Sequence, residues 1–136
     1  MKGDKISYRG GYKYSLWEDY RVQTDIKGFA VDHRLFRLDP DGWLTIMADY
    51  PWDGVTGFLD LRCLVRGSLV HDSIYEMLRL ALLPHYPCFH LANRELRKIA
   101  LEDDCPNWMA DCVFWFVERK GSAFARRQQP KILKAP

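Results

Sequence analysis

Residues 61–83, LRCLVRGSLVHDSIYEMLRLALL, decide the fold class of this chain. Apolar residues recur in this stretch at intervals of three and four, which is the period of an amphipathic α-helix, and Pro84 and Pro87 bound it. A second helix is predicted over 89–104, FHLANRELRKIALEDD, and Pro106 is suited to open a third. The C-terminal half is therefore predicted to be helical.

The residues before these helices have β-strand patterns. β-Forming residues alternate or cluster in YKYSLW (12–17), YRVQTDI (20–26), GFAVDHRLFRL (28–38) and WLTIMADY (43–50), the last directly after the turn signal DPDG (39–42). The pattern predicts an N-terminal antiparallel sheet of three or four strands packed with about three C-terminal helices. Because strands and helices are segregated along the chain, the predicted class is α+β rather than a doubly wound parallel sheet.

Length and charge fit one globular domain. The chain has 136 residues, 48% of them hydrophobic, and 20 basic against 18 acidic residues give a formal net charge of +2. We expect a single α+β domain over residues 1–125 and a basic, disordered tail over 126–136. A charge this close to zero gives no global attraction for nucleic acid, so we do not expect nucleic acid as a partner. No run approaches the roughly 18 apolar residues of a membrane span, and no transmembrane segment is expected.

The cysteines favour a reduced protein. Cys63, Cys88, Cys105 and Cys112 form no CxxC pair, and the chain is less cysteine-dense than small secreted scaffolds are. We interpret them as thiols that are mostly packed in the interior. The N-terminus also lacks the apolar segment of a signal peptide, so the expected location is a cytoplasm or a particle assembled there.

His71 and Asp72 form the candidate site in the middle of the first predicted helix. His71 falls on the apolar stripe of the helical wheel, which predicts burial, and a buried histidine is more often a hydrogen-bonded core residue than a catalyst. Asp72 and Glu76 are like charges four residues apart, a conflict that either Arg79 or a bound cation can relieve. An ordinary charged face and a cation site therefore both remain open.

The loop WDGVTG (52–57) is the predicted neighbour of this helix. Gly67 gives room for another backbone to approach, and the oxygen atoms of the loop suit a hard cation such as Ca²⁺. The candidate metal ligands are Asp53, Asp72 and Glu76. The residues expected to shape the loop are Trp52, Gly54, Thr56 and Gly57. Asp-Gly is also a common turn dipeptide, and the loop by itself is more simply a turn.

Four segments resemble a family of short phage-encoded and prophage-encoded proteins of unknown function. They are ADYPWDGVTG (48–57), RGSLVHDSIYEMLR (66–79), ANRELRKIALEDD (92–104) and the aromatic helix that ends near RKGSAFA (119–125). The resemblance implies a phage origin and no particular activity. The family often has Ala-Asp where this chain has Ala92-Asn93.

An Asp-Gly loop, HDxxY on a helix and a polar residue on a later helix are also similar to the core of phospholipases A2. This similarity implies that His71 is the general base for a water, that Asp72 and the loop 53–57 hold calcium, and that Tyr75 orients the histidine. Asn93 stands in place of a later aspartate of that family, and it cannot supply the negative charge that would stabilise an imidazolium. The cysteines that usually flank the His-Asp pair in that family are absent here.

Three functions are compatible with these features. The first expectation is a virion-associated or assembly component without catalysis, whose Trp and Tyr side chains contact phage or host proteins. The second is a metal-assisted hydrolase of lipid or peptidoglycan, built on His71 and Asp72 and used in host entry or lysis. The third is a small modulator of a host protein. The expected location is the host cytoplasm during infection, or the virion.

Overall fold

The computed structural model describes residues 8–9, 14–52 and 61–125, with side chains over 14–52 and 61–119. Strands occupy the N-terminal half and helices the C-terminal half, so the predicted α+β class is confirmed. Two predictions fall outside the described residues. They concern the loop residues Asp53, Gly54, Thr56 and Gly57, and the tail over 126–136.

The described N-terminal residues form two antiparallel sheets where the sequence predicted one. The strands are β1 (Tyr8–Arg9), β2 (Tyr14–Leu16), β3 (Tyr20–Gln23), β4 (Val31–Asp32), β5 (Phe36–Leu38), β6 (Trp43–Ile46) and β7 (Pro51–Trp52). One sheet has the order β1-β2-β7 and the other the order β3-β6-β5-β4. Asp49 has a φ of 71° in the left-handed region and turns the chain between β6 and β7, which lie in different sheets.

The DPDG turn lies between β5 and β6, as its composition predicts. The Gly42 N–H donates to Asp39 O at 2.9 Å, and Gly42 has a φ of 91°. A Cβ at Gly42 would overlap the carbonyl oxygen of Thr24. Glycine is therefore required here both by the backbone conformation and by the close approach of a neighbouring segment.

Three helices follow in the described chain: α1 (Arg62–Arg79), α2 (His85–Glu102) and α3 (Asn107–Ala125). α1 and α3 begin close to the predicted positions. α2 begins four residues before Phe89, where it was predicted to start, and Tyr86 near its start has non-helical angles.

Among the described residues, no helix combines the length and the apolar character that crossing a bilayer demands.

α1 packs closely against α2 at Gly67. A Cβ on Gly67 would lie 3.0 Å from Leu96 Cδ1 and 3.2 Å from Leu96 O. The backbone that Gly67 admits is therefore that of α2, whereas the sequence suggested the loop 52–57. The reason is that α1 and α2 are consecutive helices that lie side by side, and a residue without a side chain lets the two helix backbones approach.

Arg66 ties the helices to the second sheet. Its guanidinium binds Glu102 Oε2 at 2.7 Å and Asp103 Oδ2 at 3.0 Å, and it donates to the Tyr20 hydroxyl at 2.9 Å. The arginine is buried, and charge-assisted hydrogen bonds of this kind hold their geometry well. The end of α2 is thereby fixed against the start of α1.

Cys63 and Cys105 form a disulfide, which corrects the interpretation of all four cysteines as thiols. The two residues are 42 positions apart, but the α1–α2 hairpin brings the start of α1 beside the segment that follows α2, with a Cα–Cα distance of 5.2 Å. Cys88 is a buried free thiol whose pKa is raised to about 11 by burial, and Cys112 is a free thiol on the surface.

Candidate functional site

His71 lies in the middle of α1, on the side that faces Asn93 of α2. It is 5% exposed, which confirms the burial predicted from the apolar stripe. Its ring contacts the ring of Tyr75, one turn further along α1, with a centroid distance of 4.0 Å. The spacing of four residues places both side chains on one face of the helix.

Asn93 of α2 joins these two side chains. The Nε2 atom of His71 lies 2.8 Å from Asn93 Oδ1, and the Tyr75 hydroxyl donates to the same oxygen at 2.6 Å. Burial raises the pKa of Tyr75 well above its ordinary value, so its hydroxyl keeps its proton and acts as a donor. Three of the four residues proposed as catalytic on sequence grounds thus meet at one buried oxygen atom.

The hydrogen bonds at Asn93 determine the tautomer of His71. A carbonyl oxygen only accepts hydrogen bonds. The Nε2 atom of His71 must therefore carry the proton that is donated to Asn93 Oδ1. When the ring is neutral, the lone pair is therefore on Nδ1. The nitrogen that can accept a proton is the one that points away from Asn93.

Asp72 is the residue on that side. Its Oδ1 lies 3.6 Å from His71 Nδ1, which is too long for a direct hydrogen bond and close enough for a water or a cation to contact both atoms. The Asp72 side chain is 27% exposed, against 7% for that of His71. The basic nitrogen thus lies beside a carboxylate that is within reach of solvent.

Glu76 is engaged in an ion pair with Arg79. The Arg79 Nη2 and Nε atoms donate to Glu76 Oε2 at 2.6 and 3.0 Å. Arg79 therefore relieves the like-charge conflict that the sequence places between Asp72 and Glu76, one of the two alternatives left open above.

The predicted calcium ligands do not form a complete set in the described residues. Within residues 14–52 and 61–119, no three His, Cys, Asp or Glu side chains come together in a way that could hold a metal ion. Calcium takes about six to eight oxygen ligands, and the described part of the site offers the carboxylate of Asp72 beside His71. Asp53 lies outside that part, so the cation stays a prediction.

Trp52 holds the start of the predicted loop against α1. Its indole N–H donates to Ser68 Oγ at 3.1 Å, and the ring packs against Tyr14 with a centroid distance of 5.2 Å. Ser68 is three residues before His71, so the chain leaves β7 about one helical turn from the candidate site. The role of Trp52 in shaping the loop stays a prediction, because the residues that follow it lie outside the described residues.

Two further residues belong to the network and were not predicted. Asn93 Nδ2 donates to Glu118 Oε2 of α3 at 2.9 Å, and His90 Nδ1 lies 2.9 Å from the same oxygen. His90 and Asn93 are three residues apart and share a face of α2, which is a sequence signal that could have suggested a common partner. The sequence around Glu118 gives no comparable signal, because its contact with Asn93 depends on how α3 packs against α2.

No family model, no curated protein and no solved structure matches this chain. The resemblance to the phage family and the similarity to phospholipases A2 therefore stay predictions.

Proposed function

We propose that the chain is a hydrolase in which His71 activates a water molecule. The observation that carries the proposal is the orientation of the imidazole. Asn93 binds Nε2, and Nδ1 is left beside Asp72 at 3.6 Å. A neutral imidazole whose lone pair is on Nδ1 can act as a general base from that atom.

The surrounding side chains have separate roles in this proposal. Asn93 and Tyr75 hold the ring and its tautomer through the shared oxygen. The carboxylate of Asp72 stabilises the imidazolium that forms when Nδ1 takes the proton of the water, because an opposite charge this close favours the charged ring. Asp72 thereby supplies the negative charge that Asn93 cannot.

The proposed substrates are the ester bonds of envelope lipids or the bonds of peptidoglycan, reached during host entry or lysis. A bound Ca²⁺ would supply stabilisation of a developing oxyanion.

The Cys63–Cys105 disulfide supports a place of action outside a reducing cytoplasm, in the virion or at the cell envelope, because disulfides persist in oxidising surroundings.

The test is hydrolysis by the purified chain of phospholipid vesicles and of isolated peptidoglycan, each with millimolar Ca²⁺ and with a chelator. His71→Gln keeps a donor for Asn93 Oδ1 and removes the base, so we expect it to abolish product release without unfolding the protein. The matched control is His33→Gln, in the turn before β5, which should leave the rate unchanged. The proposal fails if the unmodified chain cleaves neither substrate, or if His71→Gln cleaves as fast as the unmodified chain.

A second candidate function is that of a virion-associated or assembly component, and exposed tryptophans favour it. Trp108 is 66% exposed and Trp115 is 58% exposed. They are seven positions apart, so both lie on one face of α3, and large exposed apolar side chains often mark contact surfaces. The modulator of a host protein stays a prediction that no particular contact favours.

The double variant Trp108→Ser/Trp115→Ser separates the two candidate functions. If the protein is an assembly component, we expect purified phage particles to contain the unmodified protein at a fixed copy number and to lack the double variant. For a hydrolase that works alone, the double variant keeps its rate. An unmodified protein that is absent from the particles would rule out the virion role.

A further inference from the structure

We propose that Glu118 is a positioning residue for His71 and that it acts through the amide of Asn93. The part that Glu118 would play in catalysis rests on the proposed function. The hydrogen bonds from which its positioning role is inferred do not. Glu118 lies on α3, Asn93 on α2 and His71 on α1, so the proposal connects all three helices.

The amide of Asn93 has a donor end and an acceptor end, and either end could face His71. If the NH₂ group faced His71, the imidazole would have to accept at Nε2, and its proton would move to Nδ1. Nδ1 would then have no lone pair to accept a proton from water. The orientation of this one buried amide therefore decides whether the nitrogen beside Asp72 is basic.

Glu118 determines the orientation of the Asn93 amide. A carboxylate only accepts hydrogen bonds, so the group of Asn93 that faces Glu118 Oε2 at 2.9 Å has to be the NH₂. The oxygen of the amide is then directed to the other side, where it accepts from Tyr75 and from His71. The Glu118 side chain is 23% exposed, so solvent competes only in part for its oxygens.

The other titratable side chains beside the network, His90 and Asp72, are compatible with this role. The side chain of His90 is 45% exposed, and its Nδ1 lies 2.9 Å from the same carboxylate oxygen of Glu118. Asp72 lies on the opposite side, against His71 Nδ1. Neither group competes for the NH₂ of Asn93, which donates to Glu118.

The test measures the tautomer of His71 by long-range ¹H–¹⁵N correlation spectra of ¹⁵N-labelled protein. We expect the Nε2–H form in the unmodified chain. Glu118→Gln can still present an oxygen to Asn93, so it should retain that form. Glu118→Lys presents donors only, so it should turn the amide and convert His71 to the Nδ1–H form. The control His90→Ala leaves the Asn93–Glu118 contact in place and should not change the tautomer.

Glu118→Ala is the second variant, in case lysine unfolds the helices. It removes the acceptor, so the share of the Nε2–H form should fall. The proposal is overturned if the unmodified chain has the Nδ1–H form, or if folded variants without an acceptor at 118 keep the Nε2–H form in full. Because the tautomer is read without substrate, an inversion in a protein that hydrolyses nothing would support the positioning role and contradict the proposed function.

Discussion

Asn93 Nδ2 and Glu118 Oε2 are 2.9 Å apart, so a neutral amide on α2 faces a carboxylate on α3. Asn93→Asp should therefore destabilise the protein, because two carboxylates would face each other in a largely buried site. We expect a loss of about 3 kcal/mol at neutral pH, the size typical of an uncompensated buried charge. Denaturant titrations at several pH values measure it.

The pH dependence and a double variant make that prediction specific. The loss should shrink as the pH falls, because one of the two carboxyl groups then takes up a proton and can donate to the other. Asn93→Asp/Glu118→Gln exchanges the two groups and should recover most of the stability. A loss that is equal at acidic and neutral pH, or that the exchange leaves unchanged, would show that charge repulsion is not its cause.

Gly67→Ala tests the close contact of α1 and α2. The added Cβ would lie 3.0 Å from Leu96 Cδ1 and 3.2 Å from Leu96 O, so one helix has to move. Overpacking costs about 1 to 3 kcal/mol, against about 1 kcal/mol gained in helix propensity. We expect a net loss in the free energy of unfolding. Leu96→Val removes the side-chain part of the contact, so the double variant should lose less than the sum of the single losses.

The disulfide is tested by Cys63→Ser/Cys105→Ser. A bridge between residues 42 positions apart restricts the unfolded chain, and its loss is expected to cost about 4 kcal/mol. The melting temperature should fall accordingly, and treatment of the unmodified protein with a reductant should reproduce the fall. Cys112→Ser, which removes an exposed thiol, is the matched control and should leave the melting temperature unchanged.

Glu95 is predicted to make stability depend on pH. The residue is 2% exposed, accepts the Asp25 N–H at 2.6 Å and lies 3.0 Å from Lys98 Nζ. Burial raises its pKa above the ordinary value of 4.5. The folded protein therefore holds this proton to higher pH than the unfolded chain does, and the free energy of unfolding falls as the pH rises from 4.5 through the raised pKa.

Glu95→Gln keeps an acceptor for Asp25 and carries no titrating charge. The fall in stability between pH 4.5 and neutral pH should be smaller in this variant than in the unmodified chain, as measured by denaturant midpoints across that range. Parallel pH profiles for the two proteins would contradict the prediction.

The sequence allowed much of the helical half and part of the site to be predicted. The helical period placed His71 on a buried stripe and Asp72 beside it, because both properties depend only on local geometry. Asn93 was suggested only by the resemblance. The actual meeting of His71, Tyr75 and Asn93 depends on the packing of α2 against α1.

Other features could not be predicted because they arise from contacts between distant parts of the chain. Glu118 meets Asn93 only through the packing of α3 on α2, and Cys63 meets Cys105 only because α1 and α2 form a hairpin. The division of the strands into two sheets depends on the turn at Asp49. The sequence around Asp49 does not distinguish this turn from other loops. Periodicity reports which face of an element is buried, and it does not report what lies opposite.

The bridge between Cys63 and Cys105 closes a covalent ring, and His71, Asp72, Tyr75 and Asn93 all lie inside it. A protease that cuts the connection between α1 and α2, at residues 80–84, would open the backbone while leaving both helices attached to one molecule. The two halves of the candidate site would stay covalently linked after such a cut, and their separation would also require reduction of the disulfide.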